Sequence, residues 1–182
     1  MGGPCITKGY YKNETATQAV IKKDEQGVRW LHTVDLGHLD EDGYLYITGR
    51  KKYLIVLPGG KNINPELVES ALSQAEYVEE LLVVPGCQTG PGGVRLEAVK
   101  AIVRPNWERI QAKAGLSREE LENRPGVVKD FVWKGINKCQ RNNQELAGFE
   151  KIPSRNHVEI RITEFAKTST GNIKRKSYIE TV

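Results

Sequence analysis

A chain of 182 residues with 38% apolar content can bury one sizeable core, so a folded globular protein is expected. Its 27 basic and 23 acidic residues leave a formal charge of +4, too even for a protein that lives on nucleic acid by counterion release, while anionic small ligands stay compatible with it. Cys5, Cys87 and Cys139 lack the paired spacings of a zinc site or a disulfide framework, and no apolar run reaches membrane-spanning length; a reducing, cytoplasmic setting is expected.

The N-terminus, MGGPCITKGYYKN, has neither a signal-peptide layout nor a helix cap, and reads as cut within a larger domain. Short β-prone pieces at 10–11, 30–33 and 44–48 alternate with turns, the last entered through Asp42–Gly43, and a short helix is predicted at 15–22. Gly49–Arg50 and Lys51–Lys52 break this pattern, which places a boundary at 49–52. A strand at 53–57 and a turn at Pro58–Gly59–Gly60 follow. Asn64, Pro65 and Glu66 then supply a cap oxygen, a pre-set φ and a negative charge at a helix start, and the helix is predicted to reach about Gln74.

A buried strand at 81–85, a turn-rich loop at 86–93 and a strand at 96–103 form a predicted hairpin. Helices are expected at 105–114, 118–123 and 127–146, a late strand at 158–162, and a basic, turn-like tail at 168–175. The fold class is therefore α+β: a β-rich N-terminal segment at 1–50 belonging to a larger domain, then a small α+β domain at 51–182 with a central sheet flanked by helices. His32, His38 and His157 are dispersed, so no metal site is assigned. Trp107 and Trp133 read as packing residues. Lys134, Lys138 and 141–143 read as a solvated basic face, with contact to an anionic ligand as the alternative.

Four segments, GYYKNETAT at 9–17, WLHTVDLGHLDEDGYLYITGR at 30–50, KKYLIVLPGGKNINPELVES at 51–70 and KTSTGNIKR at 167–175, resemble in order the C-terminal part of the adenylate-forming, AMP-binding acyl-CoA synthetases, above all the long-chain fatty-acid CoA ligases. The resemblance implies a two-step reaction. A carboxylate attacks the α-phosphate of ATP to give an acyl-adenylate, and coenzyme A then displaces AMP after a small C-terminal lid domain has swung on a hinge. It implies ATP or AMP, coenzyme A and Mg2+ as ligands of a full-length parent with none held tightly by this piece, a fatty acid as substrate, and an N-terminal adenylation domain as partner. It is compatible with peripheral membrane association of that parent and with no nucleic-acid role.

Residue by residue, Asp35 resembles the family's ribose-binding aspartate, a carboxylate suited to accept from two hydroxyls. The alternative is a turn aspartate. Val34 stands where the family motif has glycine, so if that glycine needs positive φ the loop here is expected to differ. Arg50 resembles the arginine on the ribose side, a planar fork of donors. Lys52 falls at the hinge, where residues absorb rotation rather than do chemistry. Gly59 and Gly60 resemble the loop that approaches coenzyme A, although a tight turn would use the same residues.

The sharpest departure is Asn172, at the position of the family's catalytic lysine. An amide dipole cannot replace a cation beside developing charge, and loss of one comparable donor costs about 2.7–4 kcal/mol of barrier. Adenylation is expected to be impaired, with Lys174 as a substitute from a slipped register. The sequence thus carries two readings: a ligase fragment inactive alone, or a catalytically degenerate nucleotide- or coenzyme-A-binding regulatory module. An RNA-binding domain is disfavoured, because the strands lack clustered aromatics.

Overall fold

Residues 81–84 are apolar at every position because both faces of the strand they form are covered. The structure, a computed structural model, describes residues 1–57, 60–93 and 95–179, without the side chains of Pro91 and Arg95. It divides into two units, Met1–Lys52 and Tyr53–Val182.

In the first unit Asn13 caps helix α1 (Glu14–Val20), its side-chain oxygen accepting from the Ala16 amide at 3.0 Å. The helix ends before the predicted Lys22, because Ile21 goes extended and opens strand β1 (Ile21–Lys23), paired antiparallel with β2 (Arg29–Leu31). The second ribbon joins β3 (Asp35–Leu39) to β4 (Leu45–Arg50). Asp40 organises its turn, accepting the amides of Asp42 at 3.1 Å and Tyr44 at 2.8 Å, with Gly43 at φ 84°. The predicted strand at 10–11 is only an isolated bridge between Tyr10 and Asn13. Of all residues in this unit, Gly49 alone is buried. Leu39 and Leu45 oppose each other across the ladder yet are 66% and 57% exposed.

The second unit holds the core. A 3-10 turn over Lys51–Tyr53 shortens the predicted strand to β5 (Ile55–Val56), paired with β6 (Asn62–Ile63). Asn64 accepts from the Glu66 amide at 3.1 Å, and α2 (Pro65–Leu72) follows, two residues shorter than predicted. The central sheet has the order β7 (Val78–Thr89), β8 (Arg95–Pro105), β9 (Val158–Ile160), with β8 antiparallel to β7 and parallel to β9. Residues 86–89, predicted as loop, continue β7. Gly86 lies opposite Ala98, where a Cβ would stand 2.8 Å from that of Lys100, so this glycine serves close strand packing rather than a turn.

Between β8 and β9 run α3 (Trp107–Ala114), α4 (Arg118–Glu122) and α5 (Pro125–Asn142). Pro105 still belongs to β8, and Asn106 caps α3 by accepting from Arg109. Ser117 and Glu120 form a reciprocal capping box on α4. The predicted extension of α5 to Leu146 is cut short because the Asn143 side chain captures the amides of Glu145 and Leu146 at 2.8 and 3.2 Å. Val83, Val99, Ala101 and Val103 pack under α2 and α5. The opposite set, Leu82, Val84 and Ile102, lies beneath Phe165, Ile173, Tyr178 and Ile179, the last two on a short helix α6 (Lys176–Ile179) that sequence reading missed. No helix among the described residues is long and apolar enough to cross a membrane.

Candidate functional site

In the first unit the ladder brings Asp35 and Arg50 together. They are direct partners at the end of β3 and β4, and Arg50 Nε lies 3.4 Å from an Asp35 carboxylate oxygen. Both keep solvent access, with the aspartate side chain the less exposed of the two. Thr33 Oγ1 accepts the Asp35 amide at 3.3 Å. Val34 between them has φ 62°. A β-branched residue is thus held in the left-handed region that favours glycine. Lys52 lies in the 3-10 turn, with its side chain exposed.

In the second unit Gly60 has φ 78° and its amide donates to the Leu57 carbonyl at 3.2 Å, while Leu57 N donates to Lys61 O at 2.8 Å. This is a tight turn, and a Cβ on Gly60 would meet nothing within 4 Å. Gly59 lies outside the described residues. Leu57, just before the turn, also lines a cavity of about 330 Å³ shared with Arg141, Phe149 and Lys151. Lys61 stands 4.9 Å from the centre of the Phe149 ring. Lys134, Lys138 and Arg141 are all exposed, as expected of a solvated basic face, and Arg141 also lines this cavity. Lys138 borders a separate cleft with Cys139 and Glu76.

The tail is a hairpin. Lys167 and Ile173 form an antiparallel bridge, Thr168 N donates to Asn172 O at 2.8 Å, Gly171 turns the chain at φ 84°, and Lys174 N donates to Ala166 O at 2.7 Å. Ile173 packs against the sheet while Asn172 and Lys174 on either side of it are exposed. The Asn172 amide is spent locally, donating to Thr170 Oγ1 at 3.4 Å.

Sequence reading missed what anchors this hairpin. Arg175 is 6% exposed; its guanidinium makes contacts of 2.6 and 2.8 Å to the two carboxylate oxygens of Glu69 on α2, donates to Val83 O at 2.8 Å, and lies 5.3 Å from the Tyr53 ring centre. Glu69 in turn accepts the Val83 amide at 2.6 Å. Burial pushes the Glu69 carboxyl above its ordinary value, and the contact with Arg175 offsets this only in part. At the other strand of the hairpin, Lys167 pairs with Glu80, which Arg104 also contacts at 3.2 Å. Burial raises Glu80, but Lys167 and Arg104 outweigh it and hold the carboxyl below its ordinary value. A lone arginine closing a basic tail carries no sign in sequence of a partner 106 residues earlier.

Among the described residues no group of three or more His, Cys, Asp or Glu side chains gathers as a metal site. His157 is held structurally, between Ser154 Oγ and Cys87 O, both at 2.9 Å. Trp107 is buried as predicted for a packing residue, under the Arg118 guanidinium.

No protein-family model matches the chain. It is 46% identical over 143 residues, 78% of its length, to a 2-succinylbenzoate–CoA ligase of Oceanobacillus iheyensis, and 30% identical over 181 residues, 98% of its length, to the long-chain-fatty-acid–CoA ligase FadD15 of Mycobacterium tuberculosis. The chain is homologous to a C-terminal part of the AMP-binding acyl-CoA ligases. It spans 28% of the length of each of those two ligases. The fold agrees: ATP-bound MatB from Rhodopseudomonas palustris matches 98% of this chain with a TM-score of 0.60 at 24% identity, covering 29% of that chain. The 2-succinylbenzoate enzyme MenE of Bacillus subtilis, in complex with AMP, matches 97% of it with a TM-score of 0.58 at 23% identity, covering 28% of that chain.

Proposed function

We propose that this segment forms the nucleotide-side seam and the mobile lid of an ATP-dependent long-chain fatty-acid CoA ligase, and that it is inactive alone. The observation that carries the reading is the Asp35–Arg50 pair. A carboxylate and a guanidinium meet at a strand end with both heads open to solvent, an arrangement suited to accept from and donate to a ribose. Lys52, immediately before the second unit, is the pivot. The turn at Gly60 and the neighbouring cavity, with an aromatic face at Phe149 and cations at Arg141 and Lys151, form the approach for coenzyme A, together with Gly59 by its place in the sequence. The Asn172–Lys174 hairpin is the part presented to the α-phosphate, with Lys174 as the available cation.

ATP phosphates, Mg2+ and the acyl chain are assigned to an N-terminal adenylation body. A fatty acid is the acid assigned here, on the match of FadD15 over 98% of the segment; 2-succinylbenzoate is the rival, since a 2-succinylbenzoate–CoA ligase of Listeria innocua also matches 98% of it, at 33% identity, and the Oceanobacillus ligase matches 78% at 46%.

A second reading, a degenerate binding module, draws on Asn172 and on Val34. Titration calorimetry with AMP and coenzyme A separates the two: affinity for coenzyme A by the 182-residue chain alone favours the module. Pyrophosphate release with palmitate and with 2-succinylbenzoate, by the segment alone and joined to an adenylation body, tests the first. Turnover only in the joined form is expected, and none in either form would overturn it.

A further inference from the structure

We propose that Arg175 is the positioning residue of the tail hairpin, locking Asn172 and Lys174 to α2 and to Tyr53, so that the hairpin travels as one rigid piece with the residue that follows the pivot. The inference rests on the ligase reading of that hairpin. A hairpin of eight to ten residues has few contacts of its own and would sample many orientations on a sheet surface. Arg175 removes that freedom in three directions: Nη2 bridges both Glu69 oxygens while Nη1 donates to the Val83 carbonyl, so the two prongs of the fork fix its plane and its depth against β7, and the Tyr53 face closes it on the third side.

Further contacts hold the hairpin in the same sense. Lys167 pairs with Glu80 on the first strand, and Tyr178 Oη accepts the Ala166 amide at 2.7 Å. The Arg161 guanidinium lies 5.6 and 5.0 Å from the ring centres of Phe165 and Tyr178. Ile173 inserts between the two exposed side chains into the apolar patch on β7 and β8. Such pre-organisation is what a group acting on developing charge requires, since a displacement of about 1 Å can cost roughly 10²-fold in rate.

Two measurements on Arg175→Lys test this, the variant keeping the charge but losing the fork; Arg175→Met serves where the fold tolerates it. In the 182-residue chain, hydrogen exchange at Asn172 and Lys174 should quicken by at least about tenfold while amides of β7 and β8 change by less than about twofold. In a ligase joining this segment to an adenylation body, pyrophosphate release should fall by at least about tenfold, with thioester formation from supplied acyl-adenylate nearly unchanged. Unaltered hairpin exchange, or an equal fall in both half-reactions, would overturn the proposal. A wild-type joined enzyme with no adenylation would instead sink the ligase reading, and the exchange result alone would then decide whether Arg175 locks the hairpin.

Discussion

The backbone amide of Lys51 donates to the carbonyl of Val34 at 3.0 Å, tying the residue with φ 62° to the position just before Lys52, the proposed pivot. The hydrogen bond closes the β3–β4 ribbon beyond its last ladder pair, Asp35 with Arg50. The strained valine is thus part of the frame that holds the two candidate ribose contacts in register.

Val34→Gly should relieve that strain. A non-glycine residue in this region costs roughly 1–3 kcal/mol, against about 0.5–1 kcal/mol for the extra unfolded-state freedom of glycine. The expected net gain of about 1 kcal/mol would slow exchange of the Lys51 amide about fivefold. Faster exchange in the variant would show that the valine side chain contributes something its 48% exposure does not suggest.

Asn172→Lys should restore a cation at the hairpin tip. In a ligase carrying this segment behind an adenylation body, pyrophosphate release is expected to rise by about 10²–10³-fold. An unchanged rate would mean that Lys174 already fills the role, which Lys174→Ala in the parent background would then reveal as a comparable loss.

Acid titration should separate the two carboxylates that flank the hairpin. The Glu80 carboxyl is held below its ordinary value, so its contribution is present above about pH 4.5 and is lost as pH falls through the folded value. Glu69 is raised by burial, so its contribution is greatest below the unfolded value and is lost as pH rises through the folded one. Denaturant unfolding at pH 6 and pH 3 should therefore show Glu80→Gln losing less stability on acidification than the parent and Glu69→Gln losing more. Parallel slopes would contradict both assignments.

Gly135→Ala should destabilise the second unit, although alanine is the better helix former by about 1 kcal/mol. An added Cβ would stand 1.9 Å from the Glu76 carbonyl oxygen, a backbone atom that cannot swing aside. Overpacking of this kind costs about 1–3 kcal/mol or more, so a lowered urea midpoint is expected. A raised midpoint would place α5 farther from the α2–β7 connection than the structure has it.

Much of the second unit was legible because its signals are local. Asn64–Pro65–Glu66 starts a helix, and the apolar run at 81–84 makes a strand covered on both sides. The misread pieces depend on partners elsewhere. Gly86 looks like a turn residue until the Cβ of Lys100 on the neighbouring strand is seen to crowd it, and the helix predicted to reach Leu146 stops where Asn143 finds two amides. In the site, Asp35 and Arg50 stood out by residue type, and the ladder that makes them partners follows from the turn between them. Glu69 gave no sign, since a glutamate on a helix facing a residue 106 positions later looks like any other surface charge.

The Arg175–Glu69 contact also changes what the last residues are worth. Removing residues 175–182 would take under a twentieth of this 182-residue sequence, yet it would strip the guanidinium from a carboxylate sunk beside β7 and unfasten the Tyr53 ring beside the proposed pivot. Gene annotators and protein engineers who trim this end as a dispensable overhang would be removing the latch and keeping the door.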